Sequence, residues 1–204
     1  ALVPVSEELL TDAPAIESWL RLKAPAKMVA KINTAIVRGT GVGQPLGILN
    51  AGSLISIAKE NSQDAASVWF ANIVKMWGRM YGPLRSNAIW LINQDIEPSL
   101  MQMAFDPEAT SKVPVYLPPN GLSQSPFGTL LGRPVIPVEA CSSAGTQGDI
   151  ILTDLAQYLS LTKSGGGVQA DVSMPLYFDQ ALQAFRFIFR VNGQPLWGSA
   201  VTRE

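Results

Sequence analysis

The sequence predicts an α+β fold, in which one long helix is followed by shorter helices and strands and a long strand lies near the end of the chain. Apolar side chains recur at helical spacing from about Ala13 to Arg38. The run Ala88–Ile92 has the length and apolar character of a buried strand, and the near-alternation over Ala184–Val191 is typical of a half-buried sheet. The helical spacing and the strand-like alternation, found in one chain, together predict a fold of helices and sheets.

Composition indicates a surface that is partly covered by other molecules. Hydrophobic residues make up 47% of the 204 residues and charged residues 15%, whereas about 25% are charged in a typical domain. A chain of this length buries roughly two-thirds of its unfolded surface and needs no disulfide or metal to fold. The shortage of charge favours a subunit covered by neighbours, although a monomer with a large core would look similar.

The missing residue types exclude several enzyme classes. The chain has no histidine, which excludes Ser-His-Asp and Cys-His mechanisms. With Cys141 as its one cysteine it also lacks an ordinary zinc, haem or iron–sulfur ligand set. Carboxylate chemistry and a Ser-Lys dyad remain open. We predict no enzyme activity, no catalytic or cofactor-binding residue, no metal ligand and no cofactor.

Charge and hydropathy predict a cytoplasmic origin. The net charge is −1 with acids and bases mixed along the chain, which argues against a chain-wide grip on nucleic acid or anionic lipid but leaves local basic patches open. One cysteine fits a reducing compartment. No apolar run reaches the ~20 residues of a membrane span, and Ala1–Asp12 lacks the order of a secretory signal.

The first half of the chain is predicted to be mainly helical. Ser6 can cap a short helical turn, Asp12 can cap the long helix, and Pro25 is expected to kink or restart that helix. Two further helices are predicted over Asp64–Met80 and Asp95–Ala104. Their core candidates are Val68, Ile73, Val74, Trp77, Met80, Ile96, Leu100 and Met103.

The second half is predicted to consist of strands and loops. The proline-rich segment Asp106–Pro126 is predicted as loop around a strand at Val113–Leu117, and the prolines of Leu130–Val138 favour an edge strand. A strand over residues 148–155 is predicted to run into a short turn or helix. After a flexible break from Lys163 to Gly167, a strand over Val168–Ser173 precedes the long strand, which Asn192 and Gly193 are predicted to end in a tight turn.

A glycine-rich loop, Gly39–Gly47, follows the long helix. Such loops bind phosphate when they follow a strand and open a helix. Here the loop follows a helix and leads into Ile48 and Leu49, predicted as extended, and it lacks a Gly-Lys-Ser/Thr sequence. We predict a structural loop that stops the helix.

The remaining chemistry-bearing residues are predicted to be structural. The neighbouring carboxylates are Glu7 with Glu8, Asp95 with Glu97, and Asp149 with Asp154. A carboxylate at the start of a helix, as predicted for Glu7 and Glu8, is stabilised by the helix dipole. Asp149 and Asp154 can end a strand by forming turns in which the side chain bonds to the backbone. The tryptophans are predicted mainly as core residues, with an interface anchor as the alternative for Trp197. They are Trp19, Trp69, Trp77, Trp90 and Trp197. Cys141 lies in a Ser/Ala/Gly loop and is predicted to be inert.

Three blocks of sequence together resemble the major capsid protein family of tailed bacteriophages. The first is Val3–Asp12 with the long helix behind it. The second, Arg38–Leu49, is similar to the family pattern Gly-x-Gly…Gln-Pro-x-Gly-Ile-Leu and is the most specific. The third combines Leu130–Val135, Gly148–Ile150 and Phe185–Gly193. Their order and spacing agree over nearly the whole chain.

The resemblance implies the two-lobed phage major capsid fold. Residues 1–53, with the long helix as a spine, and residues 163–204, with long strands, would form the peripheral lobe. Residues 54–162 would form an inserted mixed α/β axial lobe. Copies would form pentamers and hexamers that close into an icosahedral shell around double-stranded DNA.

Partners and location follow from the same resemblance. The protein would self-associate into capsomers, bind packaged DNA without sequence preference, and meet a scaffold, a portal and a maturation protease, with no membrane partner. It would be found in the virion, and in the host bacterial cytoplasm during assembly. Relatives carry an N-terminal arm and an extended loop before the segment similar to Val3–Ser6, so we expect an N-terminally truncated form, and we assign no cross-linking residue.

Two alternatives stay open. An encapsulin-like nanocompartment shell has the same fold with protein cargo, and genomic neighbours would distinguish it. A carboxylate-dependent hydrolase or sugar-binding module would be favoured if Asp149 or Asp154 lay in a deep cleft with a raised pKa. The capsid hypothesis predicts a spine helix that is not enclosed in a globular core.

Overall fold

The computed structural model describes residues 1–12, 15–104, 113–118, 127–163, 168–177 and 180–200. The α-helices in these ranges are α1 Glu7–Asp12, α2 Ala15–Arg38, α3 Phe70–Arg79 and α4 Glu97–Met101. The strands are β1 Leu2–Ser6, β2 Ile89–Ile92, β3 Tyr116–Leu117, β4 Thr129–Leu130, β5 Arg133–Pro137, β6 Ile150–Thr153, β7 Tyr158–Thr162, β8 Gln169–Tyr177, β9 Leu182–Ile188 and β10 Val191–Pro195. Short 3₁₀ helices cover Ile48–Asn50, Gly82–Asn87, Gln94–Ile96 and Leu155–Gln157.

The long helix α2 is a single element of 24 residues. It continues through Pro25, so the predicted restart is wrong, although the ring removes the amide that would bond to Arg21. The predicted Ser6 cap of α1 is confirmed, since the Leu9 amide donates to Ser6 Oγ at 3.4 Å. The predicted Asp12 cap and the first turn of the long helix fall partly outside the described residues.

A three-stranded antiparallel sheet, in the order β1-β9-β8, packs against the first half of α2. Phe185 and Phe187 of β9 and Val5 of β1 are buried together against Leu20 and Met28 of α2. This sheet confirms the predicted strand over Val168–Ser173. The predicted long strand is instead divided into β9 and β10, with residues 189 and 190 between them.

A five-stranded sheet, in the order β3-β4-β5-β2-β6, lies in the middle of the chain. One face packs against α3 and α4 around Trp90, with the predicted core residues Ile96, Leu100 and Met103 in the same cluster. The other face, which includes Leu91 of β2, packs against Val37 at the end of α2. The helix α2 therefore contacts two separate cores.

The predicted edge position of the Leu130–Val138 segment is wrong, because β5 pairs with β4 on one side and with β2 on the other. On the β4 side, the amide of Val135 donates to the carbonyl oxygen of Gly128 at 2.8 Å. On the β2 side, the amide of Val138 donates to the carbonyl oxygen of Ile92 at 2.8 Å. Since successive amides alternate in direction, Pro134 lacks its amide one residue before the β2 ladder begins, and Pro137 lacks its amide beyond the end of β4. Both prolines thus fit a central strand.

Both helices predicted after the long helix are shorter than expected. α3 begins at Phe70 rather than Asp64, because the backbone of Trp69 is extended and its amide donates to Asn72 Oδ1 at 2.9 Å. Val74 is exposed, whereas Ile73 is buried. The predicted helix over Asp95–Ala104 is a 3₁₀ turn followed by α4. Of the predicted strand Val113–Leu117, Tyr116 and Leu117 pair with β4, and Pro114 forms an isolated bridge with Ala104.

The predicted tight turn at Asn192 and Gly193 is wrong, because both residues lie inside β10, which pairs with β7. A Cβ on Gly193 would lie 2.7 Å from the Tyr158 ring and 3.0 Å from the Leu159 carbonyl oxygen. Glycine is therefore used here for close packing of two strands rather than for a turn.

Candidate assembly surfaces

The glycine-rich loop is hydrogen-bonded to segments that are distant in the sequence. Its two ends form an antiparallel bridge between Thr40 and Leu46. The Leu46 amide donates to the carbonyl oxygen of Gly193 at 2.8 Å, and the Tyr158 hydroxyl donates to the carbonyl oxygen of Leu46 at 3.0 Å. The loop thus joins the end of α2 to β7 and β10, which supports the predicted structural role.

Two glycines of this loop lie where a side chain has no room. A Cβ on Gly39 would lie 2.0 Å from the Pro45 carbonyl oxygen, and one on Gly47 would lie 2.4 Å from the Gly39 amide nitrogen. The side-chain amide of Asn50 caps α2, because its Nδ2 donates to the carbonyl oxygens of Arg38 and Gly39, each at 2.9 Å. The segment after the loop is a 3₁₀ turn, so the expectation that Ile48 and Leu49 are extended is wrong.

The single thiol is buried and protonated at neutral pH. Cys141 is 1% exposed, and this burial raises the pKa of its thiol to about 11, with Arg38 acting in the opposite direction and Asp149 in the same direction. A protonated, enclosed thiol is a poor nucleophile and a poor metal ligand. In the part of the chain that the structure describes, no group of three or more Cys, Asp or Glu side chains could hold a metal ion.

The two aspartates beside β6 form turns. Asp149 accepts the amides of Ile150 at 2.7 Å and Gly145 at 3.0 Å. Asp154 Oδ1 accepts the Ala156 amide at 3.0 Å and so caps a 3₁₀ helix. Both residues line a cleft of ≈ 570 Å³ between α3 and the segments that flank β6. Asp154 Oδ2 is buried and makes no hydrogen bond within the described ranges.

The other predicted carboxylate pairs lie apart from this cleft. Glu7 and Glu8 are exposed in the first turn of α1, where a carboxylate stabilises the helix. Glu97 accepts the Tyr116 hydroxyl at 2.9 Å and ties α4 to β3. Asp95 lies two residues after Asn93, and its backbone amide donates to Asn93 Oδ1 at 3.0 Å. The prediction that no residue is catalytic stays a prediction.

The tryptophans divide into core and surface residues. Trp90 is fully buried, its Nε1 donates to the Leu130 carbonyl oxygen at 3.0 Å, and its ring lies 6.5 Å from that of the partly buried Trp77. Trp19, Trp69 and Trp197 are exposed, so the expectation of a core position is wrong for Trp19 and Trp69, whereas exposure of Trp197 agrees with its alternative prediction as an interface anchor. Periodicity could not reveal this, because a helical period does not tell which molecule covers the apolar face.

An exposed apolar stripe runs along α2. Trp19 is 56% exposed, Leu22 70% and Val29 52%, and Ala26 between them is also exposed. Their spacing of three, four and three residues places them on one side of the helix, in the pattern that helices use to pack against other helices. We call Trp19, Leu22, Ala26 and Val29 the spine stripe.

A second apolar surface lies on the β7–β10 sheet. Leu159 and Leu161 project to the same face of β7, because they are two residues apart, and both are exposed. Leu196 follows β10 and is also exposed, and Trp197 packs its ring 5.9 Å from that of Tyr81. This surface and the spine stripe are apolar areas that the described part of the chain leaves in contact with solvent.

The accessible surface of the chain is larger than that of a compact monomer. It measures 13177 Å², whereas about 9,300 Å² is expected for a compact protein of 21.9 kDa. A stable protein–protein interface removes about 800 Å² from each partner. The surface therefore leaves room for contacts with other molecules, as the shortage of charge predicts.

Comparisons with known proteins identify the class of protein to which these surfaces belong. The model of the phage capsid family matches residues 1–203. The chain belongs to the phage capsid family. It is a structural capsid subunit, not an enzyme, and its fold is the phage-like capsid fold.

Two solved capsids are similar in fold to this phage capsid protein. The structure titled "Capsid of empty GTA particle computed with C5 symmetry" matches with a TM-score of 0.73 and 20% identity, over 95% of this chain and 67% of that chain. "Capsid of native GTA particle computed with C5 symmetry" matches with a TM-score of 0.74 and 19% identity, over 96% and 67%. No curated protein sequence matches the chain.

Membership of the phage capsid family gives the general role of the protein. A capsid protein assembles with copies of itself into a shell and is a component of the virion. Neither the encapsulin-like nor the hydrolase alternative is favoured. No helix of the described residues has the length and hydropathy needed to cross a lipid bilayer.

Proposed function

We propose that this capsid protein assembles as pentamers and hexamers into an icosahedral shell that encloses double-stranded DNA. The match of the capsid family model to residues 1–203 carries the proposal. Assembly would take place in the host bacterial cytoplasm, where a scaffold, a portal and a maturation protease are the partners that the family resemblance suggests.

We further propose that the subunit has two lobes joined by α2. The core around Phe185 and Phe187 draws its residues from the proposed peripheral ranges 1–53 and 163–204, whereas the core around Trp90 draws its residues from the proposed axial range 54–162. We place the second boundary before Tyr158 rather than after residue 162, because β7 pairs with β10. The tie between Arg38 and Ser142 would hold the lobes together.

The spine stripe is the proposed contact of α2 with a neighbouring subunit. Its residues are among the most exposed apolar side chains of the described chain. Full burial of one large apolar side chain stabilises the complex by about 1.5–3 kcal/mol. Summed over the many subunits of a closed shell, contacts that are weak singly give a stable assembly.

Substitution of the spine stripe tests this function. The double variant Leu22→Glu/Val29→Glu removes apolar contacts at exposed positions, so the subunit should keep its melting temperature but fail to form shells. The matched control Thr34→Glu/Asn61→Glu adds the same charges at exposed polar positions away from the stripe and should assemble normally. The readouts are sedimentation and negative-stain electron microscopy after expression with the structural proteins encoded beside its gene. Wild-type protein that forms no shell under these conditions would refute the proposed function.

A further inference from the structure

Basic residues are concentrated on the long helix. The whole chain has a net charge of −1, but the sequence of α2 contains five lysines and arginines and a single carboxylate, Glu17. The near-neutral net charge therefore conceals a local excess of positive charge, of the kind that mixed charges along the sequence did not reveal.

Three of these cations form one row. Lys23, Lys27 and Lys31 are spaced by four residues, so they lie on one side of α2 at intervals of about 6 Å along the axis. All three are exposed. The ion pairs between described residues join Arg21 to Glu17, Lys75 to Glu60 and Arg186 to Asp171, and none involves the row.

The row continues beyond the helix. Lys31 and Arg190 line the same shallow cleft, of ≈ 690 Å³, beside the glycine-rich loop. The described residues that line this cleft include no Asp or Glu. Arg38 also borders it, but the guanidinium of Arg38 is bonded to Ala140 and Ser142. Among the cations of the row and the cleft, the three lysines and Arg190 have no carboxylate partner within the described ranges.

We infer that Lys23, Lys27, Lys31 and Arg190 form a basic strip that contacts the phosphate backbone of double-stranded DNA, and that this face of α2 is directed to the interior of the shell. The inference rests on the proposed function, in which the shell encloses DNA. It adds the surface that touches the DNA and the orientation of the subunit in the shell wall.

Charge complementarity is the reason for choosing DNA as the partner. The strip is about 12 Å long between Lys23 and Lys31, and a duplex presents about one negative charge per 1.7 Å of its axis, so several phosphates face the strip at once. Lysines are compact charges on flexible stems, which suits contacts with phosphates rather than readout of base edges. Such contacts are independent of DNA sequence, as the packaging of a whole genome requires.

The test is the salt dependence of DNA binding by the purified chain. The variant Lys23→Gln/Lys27→Gln/Lys31→Gln keeps helix propensity and removes three charges of the strip. Binding to a short fluorescent duplex is measured by anisotropy over a series of salt concentrations. The slope of log K against log[salt] should become less steep by about 2.7, because each phosphate contact contributes about 0.9.

A matched control removes the same number of charges from other places. Lys59, Lys75 and Arg186 are exposed and lie outside the strip, and the variant Lys59→Gln/Lys75→Gln/Arg186→Gln should keep the wild-type slope. Equal changes in both variants, no change in the strip variant, or no DNA binding by the wild type would overturn the inference. Electron microscopy of the same variants separates the two proposals. If the strip variant forms shells and keeps the wild-type salt slope, the inference about the strip is refuted and the proposed function stands. If the strip variant keeps the slope but forms no shells, the strip is a contact between subunits rather than with DNA. If the wild-type protein forms no shells, the proposed function is refuted.

Discussion

Arg38 and Ser142, which are 104 residues apart in the sequence, are joined by a hydrogen bond of 3.1 Å from Nη2 to Oγ. The Nε atom of the same guanidinium donates to the carbonyl oxygen of Ala140 at 2.5 Å. Ser142 in turn donates to the carbonyl oxygen of Gln147 at 2.7 Å. The last residue of α2 therefore fixes the helix to the loop between β5 and β6.

Loss of this tie is expected to lower stability. Arg38→Ala removes two charge-assisted hydrogen bonds and leaves the Ala140 carbonyl without that donor, so the free energy of unfolding should fall by about 2 kcal/mol. Chemical denaturation measures this change. Arg21→Ala, which breaks an exposed ion pair with Glu17 on the same helix, should cost at most about 0.5 kcal/mol. Equal losses in the two variants would contradict the structural role of Arg38.

The two glycines Gly39 and Gly78 should respond to alanine in opposite directions. Gly39→Ala places a methyl group against backbone atoms of Pro45 and Ala35, so it should destabilise the protein by about 3 kcal/mol. Gly78 lies in α3, and a Cβ there meets nothing within 4 Å, so Gly78→Ala should be neutral or stabilise by up to about 1 kcal/mol. Thermal unfolding of both variants decides the point. A Gly39→Ala protein of normal stability would show that the loop packs differently.

A charge in the sheet beside α2 should unfold the protein. Phe187 is 1% exposed, and Phe187→Asp would bury an unpaired carboxylate and remove a ring, at a cost above about 4 kcal/mol. Val172 on the neighbouring strand β8 is exposed, so Val172→Asp should change stability by less than about 1 kcal/mol. Circular dichroism and melting temperatures test both. A folded Phe187→Asp protein would refute the packing of β9 against α2.

Alkaline pH should destabilise the fold through Tyr116. Burial, followed by the hydrogen bond and the negative charge of Glu97, raises the pKa of Tyr116 to about 12, whereas an unfolded tyrosine has a pKa of about 10. As the pH rises between these values the unfolded state loses its proton first, so the stabilisation that is complete below pH about 10 is lost by about 12.

Denaturant titrations at a series of pH values check this expectation. Tyr116→Phe should show a smaller decrease in stability over the window, and the remaining decrease would come from Cys141 and Tyr158, whose pKa values burial also raises. Glu97→Gln should lower the pKa of Tyr116 because it removes the charge. An identical pH profile for wild type and Tyr116→Phe would exclude this assignment.

Elements that depend on nearby residues were predictable from the sequence, and elements that depend on distant partners were not. The Ser6 cap, the course of α2 to Arg38 and the strand β2 follow from local spacing. The central position of β5 and the place of Gly193 in a strand depend on segments far along the chain, which no local pattern encodes.

The surfaces were less predictable than the fold. Leu22 recurs at the spacing of a core residue and is nevertheless 70% exposed, because a hydrophobic period reports that a face will be covered, not that the same chain will cover it. The basic strip was hidden by the balance of charge over the whole sequence.

The pairing of β1 with β9 has a consequence for how the protein is made. A ribosome releases Leu2–Ser6 long before it has translated Leu182–Ile188, the one described partner strand of β1. The strand β2 likewise waits for β5 and β6 on its two sides. Neither sheet can be completed before its later strands have been translated, so the nascent polypeptide keeps unpaired strand edges until then, and this late closure is where chaperones would be needed most.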